Sequence, residues 1–340
     1  MYLFSERGVI AYVNEFLYEG ETVCLGRKGT IDNPQYHNEK IWTVDTLFYT
    51  YDFTNVDVKF LYYLSKTINW QTYNTATGVP SLTSNVILGI PIGLPPISEQ
   101  HRIASALTDI DELISSLDKL IAKKKDIKQG AMQQLLTGKI RLKGFTEPWV
   151  EKKLGDCAIT TSGGTPSRSM TEFYRGNINW FTTGELSDGY LYESNEKITQ
   201  EALDSSSAKI VPANTLLMAM YGATIGKLGI LQIPSATNQA CCAILCKYIE
   251  TKFLFYILLH NRSSIIEQGR GAGQPNISQE IVKELHFYVP SSLAEQRAIA
   301  AILTDMDNEL AALEAKRSKY AMIKEGMMQQ LLTGKIRLTD

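Results

Sequence analysis

In 340 residues there is no Cys-x-x-Cys pair, and the five cysteines (Cys24, Cys157, Cys241, Cys242 and Cys246) are odd in number. That pattern argues against a zinc ribbon and against a disulfide framework. Three of the thiols fall in the apolar run Ala240 to Cys246, which reads as a buried strand, so they are expected to act as small hydrophobes in a reducing cytosol. The four histidines are scattered, and no metal site is expected. No phosphate-binding loop, His-x-x-x-His pair or Gly-x-Ser-x-Gly elbow occurs. The longest apolar run, Phe253 to Leu259, is far too short to cross a bilayer, and the start has no secretory pattern; a cytoplasmic location is expected. Charge of one sign is lacking too: 34 Lys and Arg stand against 36 Asp and Glu. A balance of that kind counts against a lone, non-specific polyanion binder, which works by neutralising phosphates. The 44% hydrophobic content suffices for two or three packed domains.

What the chain does have is a long internal repeat. Glu99-Gln100 through Leu107-Thr108-Asp109-Ile110-Asp111 to Met132 and Leu142 returns 196 positions later as Glu295-Gln296 through Leu303-Thr304-Asp305-Met306-Asp307 to Met328 and Leu338, without a gap. Both copies end in Gln-Gln-Leu-Leu-Thr-Gly-Lys-Ile-Arg-Leu. Ile103, Leu107, Ile110, Ile114, Leu117 and Ile121 alternate steps of four and three, the narrow stripe of a coiled coil; Ile299, Leu303, Met306, Leu310 and Leu313 do the same before Arg317 and Tyr320 make the seam mixed. Neither copy has an internal proline. Glu99 and Glu295 sit in the first turn, where the helix dipole favours them, and Gly138 and Gly334 follow as terminating glycines. Each copy thus predicts a helix of about 38 residues, roughly 57 Å long. A stripe that narrow needs a partner helix, and the other copy, packed antiparallel within the chain, supplies one.

The globular stretches repeat more weakly. Phe60-Leu61-Tyr62-Tyr63 returns as Phe253-Leu254-Phe255-Tyr256, and Gly78-Val79-Pro80-Ser81-Leu82-Thr83 as Gly273-Gln274-Pro275-Asn276-Ile277-Ser278. Leu94-Pro95 before the first helix matches Val289-Pro290 before the second. Trp149, Leu154-Gly155-Asp156, Ser162 to Ser167 and Asn179 to Gly184 have no counterpart upstream of Gly20, and alignment sets Met1 near Ser194. A constant helical frame carrying divergent heads suggests one docking surface and two specificities.

These residues resemble the specificity subunit of type I restriction–modification systems, the HsdS family. The resemblance rests on the proline-to-Glu-Gln start of each long helix, the paired Gln-Gln-Leu-Leu-Thr-Gly-Lys-Ile-Arg-Leu ends, and Trp149 to Asp156 with Ser162 to Ser167. It implies an α+β chain: two mixed α/β target recognition domains separated by two long helices that pair as an antiparallel coiled coil. The limits would be 1–96 for a partial first recognition domain, 97–144 for the first helix, 145–292 for the second domain and 293–340 for the second helix. It further implies double-stranded DNA, methyltransferase subunits and an endonuclease subunit as partners, with self-association as an option. It implies no catalysis by the chain itself, S-adenosylmethionine being held by the methyltransferase. The alternative is a coiled-coil scaffold, or an inactive truncated or recombined cassette form, that binds partner subunits without reading DNA.

Asn33-Pro34-Gln35-Tyr36 approaches the Asn-Pro-Pro-Tyr/Phe motif of amino-methyltransferases, but its third position is Gln, and no glycine-rich turn for S-adenosylmethionine accompanies it. Asn-Pro is a common turn former. Candidate DNA contacts follow from residue type in glycine-bearing loops. They are Ser162, Thr165 and Arg168; Thr224 and Lys227; Arg270, Gln274 and Asn276; and in the first unit Arg27, Lys28 and Thr30, near Thr77 to Ser81. Arg270 and Lys227 are the foremost of these. The Gly-x-Pro stretches have a structural alternative, shaping the domain before its last strand. Lys123-Lys124-Lys125 reads as a solvated helix face rather than a backbone contact.

Overall fold

The computed structural model describes residues 2–5, 7–269 and 276–339, in two compact units: one of residues 1–122 with 312–340, the other of residues 123–311. Residues 1–96 fall in the first unit and 145–292 in the second, and each unit takes part of each long helix.

In the first unit the strands are β1 (Tyr2–Ser5), β2 (Gly8–Tyr12), β3 (Tyr18–Gly26), β4 (Gln35–Thr43) and β5 (Leu47–Tyr49). They form one sheet in the order β2-β1-β4-β3-β5, with β1 parallel to β4 and the other neighbours antiparallel. Then come α1 (Val58–Ser65), α2 (Ser84–Leu88) and the long α3 (Ile97–Leu135). Asp57 caps α1 by accepting from the Phe60 N–H at 2.7 Å, and Thr83 caps α2. Apolar residues of β3 and α1, with Ile31, Trp70 and Leu82, make the core.

The second unit has β6 (Trp149–Lys153), α4 (Leu154–Cys157), β7 (Ala158–Ser162), β8 (Ile178–Phe181), β9 (Gly189–Leu191), β10 (Lys197–Ile198), α5 (Gln200–Asp204), β11 (Ile210–Val211), β12 (Leu216–Ala219), β13 (Leu228–Leu231), β14 (Ser235–Thr237), β15 (Cys241–Cys246), α6 (Thr251–His260), α7 (Arg262–Gln268), α8 (Gln279–Glu284), β16 (His286–Pro290) and the long α9 (Leu293–Leu331). Its sheets run β7-β15-β12-β13-β9, β10-β8-β14-β11 and β16-β6.

The five-stranded sheets share a plan. In each a central strand (β3, β12) lies between two antiparallel neighbours (β5 and β4; β15 and β13), and a parallel strand (β1, β9) follows. In this plan β1 and β9 hold the same place in the strand order, and β1 pairs further along its neighbour than β9 does, in keeping with the alignment of Met1 near Ser194. The β1–β2 hairpin has no equal among the described residues of the second unit. The cysteine-rich run is β15, and Cys241 and Cys242 are fully buried in it.

The long helices pair antiparallel inside each unit. In the first, Glu99, Asp111 and Asp118 of α3 meet Arg337, Lys324 and Arg317 in falling order. In the second, Lys124, Lys128 and Arg141 meet Glu309, Asp307 and Glu295. Ile103, Leu107, Ile299 and Leu303 are fully buried; Ile110, Leu117, Ile121 and Leu310 are nearly so, while Ile114, Met306 and Leu313 are half-buried. The stripe is shared, since Ile103 and Leu107 also pack on Phe60, Tyr63 and Leu64 of α1, and Ile299 and Leu303 belong to the core that holds Phe253 and Tyr256. Each of those phenylalanines is wholly buried, worth about 1.5–3 kcal/mol.

Polar contacts repeat with the sequence. Arg337 holds Glu99 with two nitrogens (2.7–3.2 Å), and Arg141 holds Glu295 in the same way (2.6 and 2.7 Å). Tyr63 donates to Asp111 at 2.9 Å and Tyr256 to Asp307 at 2.8 Å. The buried amides of Gln100 and Gln296 accept from the N–H groups of Asp57 and Glu250, the residues that cap α1 and α6, and donate to the Pro95 and Pro290 carbonyls. The glutamine thus fastens each long helix to its own globular head, while the glutamate before it clasps the end of the other repeat, which is more than the helix dipole required of it. Gly138 and Gly334, both at φ 70°, turn the chain so that the arginine three residues on can reach back.

Candidate nucleic-acid interface

The C-terminal ends of β7 and β12 and the N-terminal ends of β13 and β15 fall at one end of the second unit's large sheet. The loops there carry most of the polar candidates. Gly163 and Gly164 leave β7 flat against Thr237: the Gly164 N–H donates to the Thr237 carbonyl at 2.9 Å, and a Cβ on Gly163 would run into that carbonyl. This close approach, rather than turn freedom, explains the glycine pair. It carries Thr165 onto exposed Gln239, whose amide oxygen accepts from the Thr165 hydroxyl.

Beside it, Tyr221 to Lys227 form the β12–β13 turn, with Gly222 and Gly226 at positive φ and the Lys227 N–H donating to the Thr224 carbonyl. Asn276 joins this turn by bridging Tyr221, while Ile277 donates to the Met220 carbonyl at 2.7 Å. The first unit repeats the arrangement. There Lys28 bridges Ser81, Leu82 donates to the Arg27 carbonyl at 2.9 Å and Gly29 to that of Pro80. In the first unit the Gly-x-Pro stretch therefore shapes the domain and places Ser81 among the loops; Asn276 stands at the matching place in the second unit, where Gly273 to Pro275 lie outside the described residues. Exposed Arg27 reaches the Asp45 carbonyl at 3.2 Å and lies over Phe48, exposed Lys28 stands next to it, and Thr30 is half-buried.

Two of the candidate cations are engaged. Lys227 donates to Asp188 at 2.8 Å; Arg262 clasps the same carboxylate with both terminal nitrogens, and the Leu228 N–H adds a fourth donor at 3.0 Å. Burial alone would raise the Asp188 carboxyl, but these donors outweigh it and hold it below the usual carboxylate range. Lys227, read from the sequence as a foremost DNA contact, thus braces the turn. Arg168 makes a two-nitrogen pair with Glu196 (2.5 and 2.9 Å) and lies 4.3 Å over the Tyr174 ring. Its guanidinium is thus held within the domain while its side chain stays exposed. Ser162 closes β7 opposite Cys242, half-buried. Arg270 and Gln274 lie outside the described residues. Lys124 pairs with Glu309, while Lys123 and Lys125 are exposed.

Sequence reasoning missed Gln239, Asp188 and Arg262. The polar step Asn238-Gln239 before a buried strand was a usable signal for the first. Asp188, at φ 62° before a glycine, gave only a turn signal, and nothing in one dimension ties it to residues 39 and 74 positions away. The Asn33-Pro34-Gln35-Tyr36 stretch leads into β4, where Gln35 donates to the Ser5 carbonyl at 3.0 Å and the Tyr36 hydroxyl to Glu21. Among the described residues no cluster of His, Cys, Asp or Glu could hold a metal, and no helix is long and apolar enough to cross a membrane.

Two α/β heads on a duplicated antiparallel helix pair, with polar loops gathered at matching sheet ends, define a class of protein built for two-part recognition. The profile of the type I restriction modification DNA specificity domain matches residues 4–129 and 146–320, and the chain belongs to that family. It is 26% identical to the MjaVIII specificity subunit of Methanocaldococcus jannaschii, over 94% of this chain and 77% of that one. It is 28% identical to the EcoR124I/EcoR124II specificity subunit of Escherichia coli, over 49% of this chain and 43% of the relative. Among solved structures, the type I restriction-modification S subunit from M. genitalium superposes with a TM-score of 0.69 at 17% identity, over 97% of this chain and 88% of that one. That likeness speaks for the fold.

Proposed function

We propose that this chain is the sequence-reading subunit of a type I restriction–modification assembly. The observation that carries this reading is the contrast between frame and loops. The Glu-Arg, Tyr-Asp and Gln contacts repeat residue for residue, while the loops at the matching sheet ends differ: Arg27-Lys28-Gly29-Thr30 in one unit, Met220-Tyr221-Gly222-Ala223 in the other. A frame that stays the same serves common partners, and heads that differ serve different half-targets.

In this reading the sheet-end loops enter the major groove. The amides of Gln239 and Asn276 suit adenine, Arg27 suits guanine, the hydroxyls of Thr165 and Thr224 serve either, and Lys28 meets phosphate. A good two-point contact is worth about 1–3 kcal/mol of discrimination. The long helices act as spacer and as platform for methyltransferase subunits, and an endonuclease subunit completes the restriction complex. The chain does no chemistry. Its partner binds S-adenosylmethionine and methylates adenine, in the cytoplasm where the chromosome lies. That the relatives above are named specificity subunits supports this assignment.

The test is co-expression with the methyltransferase subunits, followed by mapping of methylated adenines across the genome. A split motif with two different halves is expected. A palindromic split motif would mean that two chains pair and read with one kind of unit. Complex formation with no motif would overturn the reading and leave a scaffold. Gln239→Ala with Thr165→Ala is expected to relax one half of the motif while the complex still assembles; an unchanged motif would remove both residues from recognition.

A further inference from the structure

One carboxylate in the second unit ties together three stretches that lie far apart in the chain. Asp188, just ahead of β9, accepts from Lys227 at the foot of the β12–β13 turn and from both terminal nitrogens of Arg262 at the start of α7. The backbone closes the same knot: the Leu228 N–H donates to the Asp188 carboxylate at 3.0 Å, and the Asp188 N–H to the Leu228 carbonyl at 2.9 Å. Arg262 also reaches the turn itself, its Nε donating to the Gly226 carbonyl at 2.9 Å. Gly226, at φ 75°, lies so close to α7 that a Cβ there would stand 3.1 Å from Ile266 and 3.2 Å from the Arg262 side chain.

The turn therefore stands on two feet of different kinds. The foot at Met220 and Tyr221 is tied by backbone, through the Asn276 bridge and the Ile277 N–H. The foot at Gly226 to Leu228 is tied by charge. Between them Gly222 and Ala223 are exposed and Thr224 is half-buried. The two cations do not depend on Asp188 equally. Arg262 keeps a second anchor on Gly226 and is 23% exposed. The Lys227 ammonium bonds to Asp188 alone among the described residues, and its side chain is 44% exposed. Without the carboxylate, Lys227 would be a free positive charge at the edge of the loop cluster. In the matching turn of the first unit Arg27 donates to the Asp45 carbonyl, which orients the guanidinium without cancelling its charge.

From this knot we infer that Asp188 is a positioning residue for DNA reading, acting through Arg262 and Lys227. Through Arg262 it seats the β12–β13 turn on α7, so that Thr224 and its exposed neighbours meet bases in one geometry. Through its own charge it withholds the Lys227 ammonium from phosphate, to which a free lysine binds at any sequence. The first effect governs the ratio of affinities for right and wrong duplexes. The second governs the salt dependence of both. The inference rests on the sequence-reading role proposed above, and adds to it a residue that itself touches no base.

The test is Asp188→Asn in the full chain, assembled with its methyltransferase subunits. Asparagine tolerates φ 62° and can still accept from the Leu228 N–H, so the variant removes the charge and little else. Binding is read by fluorescence anisotropy across a salt series, on a duplex carrying the methylated motif mapped for the wild type and on one of scrambled sequence. The ratio of the two affinities is expected to fall at least about fivefold. The slope of log affinity against log salt is expected to steepen by about 1 on both duplexes. Adding Lys227→Gln is expected to return the slope to the wild-type value while the ratio stays low. A mere loss of fold would lower the active fraction and leave slope and ratio where they were. An unchanged ratio, an unchanged slope, or a steepening that survives Lys227→Gln would each overturn the inference and leave the sequence-reading role standing. A wild-type complex that methylates no motif would overturn that role, and the inference with it.

Discussion

Gly138 and Gly334 offer a controlled comparison that the repeat itself provides. Both sit at φ 70°, at the same point of duplicated sequences, so Gly→Ala puts the same backbone strain on each, about 1–2 kcal/mol for an L-residue in the left-handed region. The surroundings differ. At Gly138 the new methyl would stand 3.2–3.3 Å from three ring carbons of Trp149, which is 7% exposed and bound to Glu295, and so has little room to give. Crowding of that kind adds about 1–3 kcal/mol. At Gly334 nothing lies within 4 Å. Gly138→Ala should therefore cost at least about 1 kcal/mol more than Gly334→Ala, about 2–4 °C of melting temperature for units of this size. Differential scanning calorimetry of the two variants reads the gap directly. The decisive control repeats Gly138→Ala in a Trp149→Ala background, where the excess should vanish. Equal losses for the two glycines, or an excess that survives without the indole, would refute the argument that packing rather than backbone separates them.

The thiols should be inert, because burial pushes Cys24, Cys241 and Cys242 up to about 12 and Cys246 to about 11. A chromogenic disulfide at pH 8 should titrate none of them in minutes and all five cysteines after denaturation; a fast native phase from any of these four would contradict the packing of β15 and β3. Asp188 is held below the ordinary carboxylate range, so its contribution is complete above about pH 4 and fades as pH falls through the depressed value. The Leu228 amide resonance, whose N–H donates to that carboxylate, should titrate with a midpoint below 4; a midpoint at or above 4 would mean the Lys227–Arg262 clasp is not formed in solution. Tyr256→Phe and Tyr63→Phe each delete a hydrogen bond to a carboxylate and should cost about 1.5–3 kcal/mol apiece in urea unfolding. A twofold disparity between them would show that the repeated contacts are not equivalent.

The long helices were legible because they depend on one dimension: a proline-free heptad stripe and a gapless 196-residue repeat specify where each starts and what faces inward. The short motifs Phe-x-x-Tyr and Leu-Thr-Asp-x-Asp were visible too, but not that Tyr63 and Tyr256 bind the aspartates of their neighbours. Nor could periodicity reveal that Glu99 pairs with the arginine of the other repeat and Glu295 with that of the first, since in sequence each lies nearer to the arginine of its own repeat. The site was half legible. Loop composition located Thr165, Thr224 and Arg27, yet burial and charge pairing decide which polar groups remain available. Those are three-dimensional facts: Lys227 and Arg168 are drawn into carboxylates 39 and 28 residues away, and Gln239 is brought to Thr165 across 74.

The reciprocal Glu-Arg clasps have a consequence for how such a chain can change length. Each long helix starts where the other finishes, and at both sites a buried carboxylate is bound by an arginine placed three residues past a left-handed glycine. Insert one turn into a single helix and at most one clasp can close, leaving the other carboxylate buried without its cation. Insert the same turn into both, at facing positions, and both clasps close again. The pair behaves like the two rails of a ladder. Spacing can be altered, but only in matched increments, so length variants that work should carry their insertions twice.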